Sequence, residues 1–268
     1  DDEAVGSHLQ QQILRPTTAA FPFRRVHMPL ALTLAGGGAV NAQQAAAVTA
    51  ALTRPYTIVK GPPGTGKTAT ATLIVDKLAR QKRGPVLVCA PSNVAANNDA
   101  EACRLYGLKV IRYFPITRDE QLLAPHLSPE LKIGHHTVMS EELQQLTMLY
   151  GKVALNAGHR ARLKELQKIA YANALRSVDV VCCTCSAAGD NLLGSLRFSS
   201  LVVDEAAQAM EPEVLIPVTL GVQQLVLIGD ECQLRPVVLC KPAARGGLEC
   251  SLFERSVAAG VEPIILLE

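Results

Sequence analysis

Tryptophan is absent from this 268-residue chain, and aromatic residues make up only 4% of it. The interior must therefore be aliphatic, and an apolar content of 49% can fill a sizeable one. Charge imbalance is lacking too: 26 Lys and Arg stand against 24 Asp and Glu, a net charge of +2. That excludes wholesale electrostatic coating of nucleic acid but leaves room for a local basic groove. No apolar run reaches the length of a membrane span, and Asp1-Asp2-Glu3 does not begin a signal peptide. No second Cys-x-x-Cys pair accompanies Cys182 and Cys185, so that spacing does not argue for zinc. The eight cysteines, several of them inside strand-like runs, read as reduced core residues of an intracellular protein. The length suits one large α/β domain or two small ones.

What is present is organised around Gly61-Pro62-Pro63-Gly64-Thr65-Gly66-Lys67-Thr68. The pattern is that of a phosphate-binding loop. A β-rich run, Tyr56 to Val59, precedes it, and a helical pattern from Ala69 to Gln81 follows. Gly64 and Gly66 let the backbone curl until its N–H groups converge on phosphate oxygens. The helix then points its positive end at the same place. Lys67 brings a charge to the β- and γ-phosphates, and the Thr68 hydroxyl is set to hold Mg²⁺.

The rest of the chain alternates strands and helices. Asn41 is read as the N-cap of a helix that runs through Gln44 to Leu52. Gln44 can be a purine contact or part of a solvated helix face. The run from Pro85 to Ala90 suits a strand buried on both faces, and Asn93 is read as the cap of a helix from Val94 to Leu105. Val110 to Tyr113, Val178 to Cys183, Leu201 to Val203, Leu225 to Gly229 and Pro263 to Leu267 are further strands, and Ser251 to Ala259 a further helix. From Pro115 to Arg176 the strand pattern lapses into helical periodicity at 121–123, 141–149 and 160–175. Lys152, His159, Arg160, Arg162, Lys164 and Lys168 make this region basic, either as a solvated face or as a phosphate contact. Gln10 to Leu14 reads as a short helix within a proline-broken stretch, 1–40, that is a linker or an incomplete preceding subdomain. Asp204 closes one strand and can serve a metal through water, while Glu205 can polarise a water for attack. Asp230 and Gln233 close the next strand, where a neutral amide can report whether a γ-phosphate is present.

Taken in order, Asn41-x-x-Gln44, residues 61–68, Ala90-Pro91-Ser92-Asn93, Asp204-Glu205-Ala206-Ala207-Gln208 and Gly229-Asp230-x-x-Gln233-Leu234 resemble superfamily 1 helicases. More narrowly, residues 84–93, 182–190 and 233–255 are similar to the up-frameshift RNA helicases of nonsense-mediated mRNA decay. The resemblance covers about residues 41–268. It implies a RecA-like P-loop NTPase domain, α/β with a mainly parallel sheet and a helical insertion at about 115–176. It implies ATP and Mg²⁺ as cofactors, with Gln44 on the adenine and Gly61, Pro62, Pro63, Gly64, Thr65, Gly66, Lys67 and Thr68 around the phosphates. Thr68 and Asp204 would serve the metal, Glu205 the water, and Gln233 the γ-phosphate. Pro91, Ser92, Asn93 and Thr184 would lie along single-stranded RNA, and the insertion would touch it. The implied partners are single-stranded RNA and mRNA-decay factors, in the cytoplasm and away from membranes.

Two departures stand out. Ala206-Ala207 replaces the usual Ser-Thr, and Glu231 replaces a His, adding negative charge beside a site built for ATP. A Gln-Tyr-Arg-Met-His-Pro segment and a second RecA-like domain with arginine fingers are expected to follow Glu268. An arginine finger contributes on the order of 10³–10⁵ in rate, so these residues alone are expected to bind ATP weakly and turn it over very slowly. Two other readings stay open at this stage: a superfamily 1 motor acting on DNA, and a nucleotide-gated RNA-binding module without useful turnover. A GTPase is disfavoured by the lack of an Asn-Lys-x-Asp segment.

Overall fold

A computed structural model describes residues 9–14, 32–115, 131–132, 140–150 and 157–267. Seven strands form one sheet: β1 Tyr56–Lys60, β2 Val86–Ala90, β3 Val110–Arg112, β4 Val180–Thr184, β5 Ser200–Val203, β6 Leu225–Gly229 and β7 Ile264–Ile265. Their order across the sheet is β3-β4-β2-β5-β6-β1-β7, and every pairing is parallel. Parallel neighbours need crossovers, which is why strands and helices alternate along the chain.

The strands are apolar on both faces because both faces are covered. Ile58, Leu87, Cys89, Val181, Cys183, Leu201, Val203, Leu225 and Leu227 point into one core. The alternate residues Val59, Val86, Val88, Val180, Cys182, Val202, Val226 and Ile228 point into the other. The second core is roofed by α1 Ala42–Thr53, α2 Lys67–Arg80 and α3 Asn93–Leu105. The first is closed by the end of α5 Ala157–Arg176, by α6 Glu211–Val218 and by α7 Leu252–Ala258. Segment 9–14 is helical, as the sequence indicates, and buries Leu9 and Ile13 in that core. The Ile13 carbonyl accepts a 2.7 Å bond from Arg255. Cys182 and Cys185 belong to opposite cores, so their Cys-x-x-Cys spacing does not bring two sulfurs to one ligand.

The helical periodicity of the middle region is real where it can be followed. α4 Glu141–Tyr150 packs on α5 and shares a small cluster of Leu143, Leu146, Leu163 and Ala170. The Arg162 guanidinium grips both oxygens of Glu142 at 2.9 Å and Glu165 at 3.0 Å. Arg162 is thus spent on joining α5 to α4, while Arg160, Lys164 and Lys168 are exposed on α5. Residues 121–123 and Lys152 lie outside the described residues.

Candidate active site

The carboxyl ends of the parallel strands gather the chemistry. β1 runs into the glycine loop, and α2 begins at Lys67. Gly64 (φ 86°) and Gly66 (φ 77°) both take the left-handed conformation that the curl demands. The loop is tight: a Cβ on Gly61 would lie 2.5 Å from Thr65 Oγ1, and one on Gly66 3.0 Å from Gln44 Nε2. Pro62 O organises the loop by accepting from Thr65 Oγ1 at 2.8 Å and from Lys67 Nζ at 3.3 Å. Lys67 is buried, whereas Thr68 is exposed on the first turn of α2.

Gln44 turns out not to be on a solvated face. It is 7% exposed and lies against Gly66. Asn41 caps α1 as expected, in a reciprocal box: Gln44 N donates to Asn41 Oδ1 at 2.8 Å, and Asn41 N donates to Gln44 Oε1 at 3.1 Å. One end of the Gln44 amide is therefore fixed by the cap, and its NH₂ end faces the loop.

β5 delivers Asp204 and Glu205 one strand away from β1, with β6 between them, so about 10 Å separates the flanking strands. Asp204 is buried, and burial pushes its carboxyl up to about 6, helped by the neighbouring Glu205 charge. The Glu205 N–H, the Asp99 side chain and the Lys67 ammonium pull in the other direction. Glu205 itself sits at φ 51°, ψ 36°, a left-handed backbone costly for a residue with a Cβ and typical of functional turns. Its Oε2 accepts from Gln208 Nε2 at 2.9 Å. Gly229 of β6 backs closely onto the Ala206-Ala207 turn: a Cβ on Gly229 would meet Ala207 N at 3.0 Å, so position 229 favours glycine.

β6 ends in Asp230, whose carboxyl binds its own loop. Oδ1 accepts from Cys232 N at 3.0 Å, and Oδ2 accepts from Gln233 Nε2 at 2.9 Å. Burial raises the Asp230 carboxyl, but these bonds and the Lys60 and Lys67 charges outweigh it and leave it below the ordinary range. Lys67 therefore lies within electrostatic reach of both Asp204 and Asp230. The extra negative charge of Glu231 does not face an ATP site unopposed, because Lys60 pairs with it.

The donor set fits a magnesium ion. An exposed hydroxyl, Thr68, and a buried carboxylate, Asp204, whose ionisation a divalent cation would favour, flank a cradle of main-chain amides. Thr68 and Asp204 are the residues that would hold it, and a bound Mg²⁺ would supply positive charge there.

The other strand ends carry Pro91, Ser92, Asn93 and Thr184. The register puts Ala90 beside Thr184, so the two loops are neighbours. The cap of α3 is Ser92 rather than Asn93: Ser92 Oγ accepts from Ala95 N at 3.1 Å, and the helix already includes Asn93. Asn93 Oδ1 instead accepts from Arg112 at 2.7 Å, and Thr184 Oγ1 accepts from Ala187 N at 3.2 Å.

Two residues of this region are invisible to motif reading. Arg112, at the end of β3, is fully buried; it also donates to Asn97 Oδ1 at 2.8 Å and lies 4.1 Å from the Phe114 ring centre. An arginine inside an apolar strand run was the available signal. Asp99, on α3, is 5% exposed, its Oδ2 is buried without a hydrogen-bond partner, and burial next to the Asp204 carboxyl drives its pKa well above the usual range. Only the Asn93/Asn97/Asp99 concentration of polar residues on one helix hinted at it.

The strand–loop–helix cradle, with a carboxylate strand two places away in a parallel sheet, defines a RecA-like, P-loop nucleotide-binding domain. The family profile described as AAA domain matches residues 39–150 and 136–241, and the chain belongs to that family. It is 41% identical over 270 residues to "Regulator of nonsense transcripts 1 homolog" of Arabidopsis thaliana, covering 99% of this chain and 21% of that protein. It is 39% identical to "Regulator of nonsense transcripts 1" of Caenorhabditis elegans, covering 99% and 25%. Against "ATP-dependent helicase NAM7" of Saccharomyces cerevisiae the identity is 38%, covering 99% and 27%. The resemblance read from short motifs thus extends along the chain, which spans about a fifth to a quarter of these relatives.

Proposed function

We propose that this chain is the ATP-binding motor domain of an ATP-dependent RNA helicase that acts on single-stranded RNA in cytoplasmic nonsense-mediated mRNA decay. The observation that carries this reading is the glycine loop with Lys67 at the carboxyl end of β1, within electrostatic reach of Asp204 and Asp230 at the ends of β5 and β6. Residues 41–268 form the first RecA-like domain, and the helices between 115 and 176 are its RNA-contacting insertion. The loop amides and Lys67 hold the phosphates, Thr68 and Asp204 hold Mg²⁺, and Gln44 meets the adenine. Glu205, fixed by Gln208, orients the attacking water. Gln233 contacts the γ-phosphate. Pro91, Ser92, Asn93 and Thr184 line the RNA backbone, with mRNA-decay factors binding elsewhere.

On this reading the 268 residues alone turn ATP over slowly, because the arginine fingers implied by the resemblance belong to a second domain. The test is phosphate release with poly-U and with poly-dT, by this chain and by a longer protein that carries it. The longer protein should be stimulated by poly-U. Stimulation by poly-dT alone would make it a DNA motor, and equal, RNA-stimulated rates in both would remove the need for a second domain.

A further inference from the structure

Lys60 is the last residue of β1, and Gly61 of the phosphate loop follows it. It stands in register with Gly229, and Gly61 N donates to Gly229 O at 3.2 Å. The two loops therefore leave the sheet side by side. The 230–233 loop is otherwise closed on itself, through Asp230 to Cys232 N, to Gln233 Nε2 and, by its carbonyl, to Gln233 N at 3.1 Å. Lys60 reaches across to it. Its ammonium pairs with Glu231, lies 3.8 Å from Cys232 Sγ, and lowers the Asp230 pKa through its field. Both partners are largely shielded, with side chains 24% and 20% exposed, so solvent screens this pair less than a surface one. The second Glu231 oxygen is buried without a hydrogen bond, which leaves Lys60 as the partner that stabilises the carboxylate.

We propose that the Lys60–Glu231 ion pair is a latch that positions Gln233, so that the site distinguishes a nucleoside triphosphate from a diphosphate. The proposal rests on the ATP-site reading above. Lys60 and Glu231 are positioning residues: neither touches the nucleotide, and both act through the loop that carries Gln233. A diphosphate is held by the glycine loop and Lys67 alone. Only a triphosphate reaches the 230–233 loop, so loosening that loop weakens triphosphate binding selectively.

The test measures affinities of the whole chain for mant-ADP and for mant-AMP-PNP, with Mg²⁺. The variants are Lys60→Met, Glu231→Gln, the two together, and Lys60→Arg. Lys60→Met and Glu231→Gln should each lower the preference for the triphosphate by about three- to tenfold, with diphosphate affinity changed by less than about twofold. The double variant should be no worse than either single one, and Lys60→Arg should keep the preference. An unchanged preference in both single variants overturns the latch. So does an equal loss for both nucleotides, which would mean the pair only props the glycine loop, and so does simple additivity in the double variant. If the unaltered chain binds neither nucleotide, the ATP-site reading fails first and the latch falls with it.

Discussion

The carboxyl edge of the sheet handles polarity in two opposite ways. At the ends of β1, β6 and β5, charged groups face one another: Lys67, Asp204, Glu205 and Asp230, with Lys60 and Glu231 alongside. Asp204 is left with a pKa near 6 because burial and negative neighbours outweigh the cations nearby. At the ends of β2 and β4 the facing side chains are neutral, and each is already bonded within the protein: Ser92 to Ala95 N, Thr184 to Ala187 N, and Asn93 to the buried Arg112 at the end of β3. The first half is charged in advance of a ligand that brings phosphates and a cation. In the second half the hydrogen bonds are already made within the protein, which on the proposed function would leave a strand to be recognised by shape rather than by charge.

The largest way to break that contrast is Glu205→Gln. In a longer protein carrying this chain, turnover should fall by about 10²–10⁴-fold while nucleotide affinity stays nearly constant; single-turnover hydrolysis with parallel mant-ATP binding reads both. Arg112→Leu attacks the neutral half. It takes the partner from the half-buried Asn93 and Asn97 and should reduce unfolding free energy by about 1–3 kcal/mol, seen in urea melts, with the nucleotide affinity of the folded fraction unchanged. Lys67→Ala should weaken mant-ATP binding about 10- to 100-fold with the melt unaffected.

A pH series sharpens the charged half. Asp204 titrates near 6 in the folded chain against about 3.9 unfolded, so the folded state holds the proton more tightly. That contribution is complete below about pH 4 and lost as pH rises through 6. In EDTA, the chain should gain about 1–2 kcal/mol from Asp204 between pH 8 and pH 5, and Asp204→Asn should abolish that gain. The smallest effect belongs to Ser92→Ala, which removes a helix cap and should reduce stability by about 1 kcal/mol, with RNA affinity falling no more than a few fold.

The sequence yields the fold because buried parallel strands are continuous apolar runs; each of the six longer strands begins within two residues of its expected start. The glycine loop and the carboxylate pair were equally legible, since their chemistry is local in sequence. What escaped is non-local. Lys60 meets Glu231 across 171 positions, and Asp99 on α3 lies near Asp204 at the end of β5; neither has a spacing to detect. The displaced cap of α3 has a simpler cause. Ser92 and Asn93 are both good capping types, and only the buried Arg112 decides that Asn93 turns inward. Gln44 was ambiguous because α1 is rich in alanine, which marks no face as the buried one.

The central claim is that Lys67 and Asp204 serve a single bound Mg²⁺–nucleotide. The direct measurement is calorimetric titration of AMP-PNP into this chain with Mg²⁺ and with EDTA, repeated on Asp204→Asn. The account predicts tighter binding with Mg²⁺ in the unaltered chain and no Mg²⁺ dependence in the variant. An undiminished Mg²⁺ dependence in Asp204→Asn would contradict it.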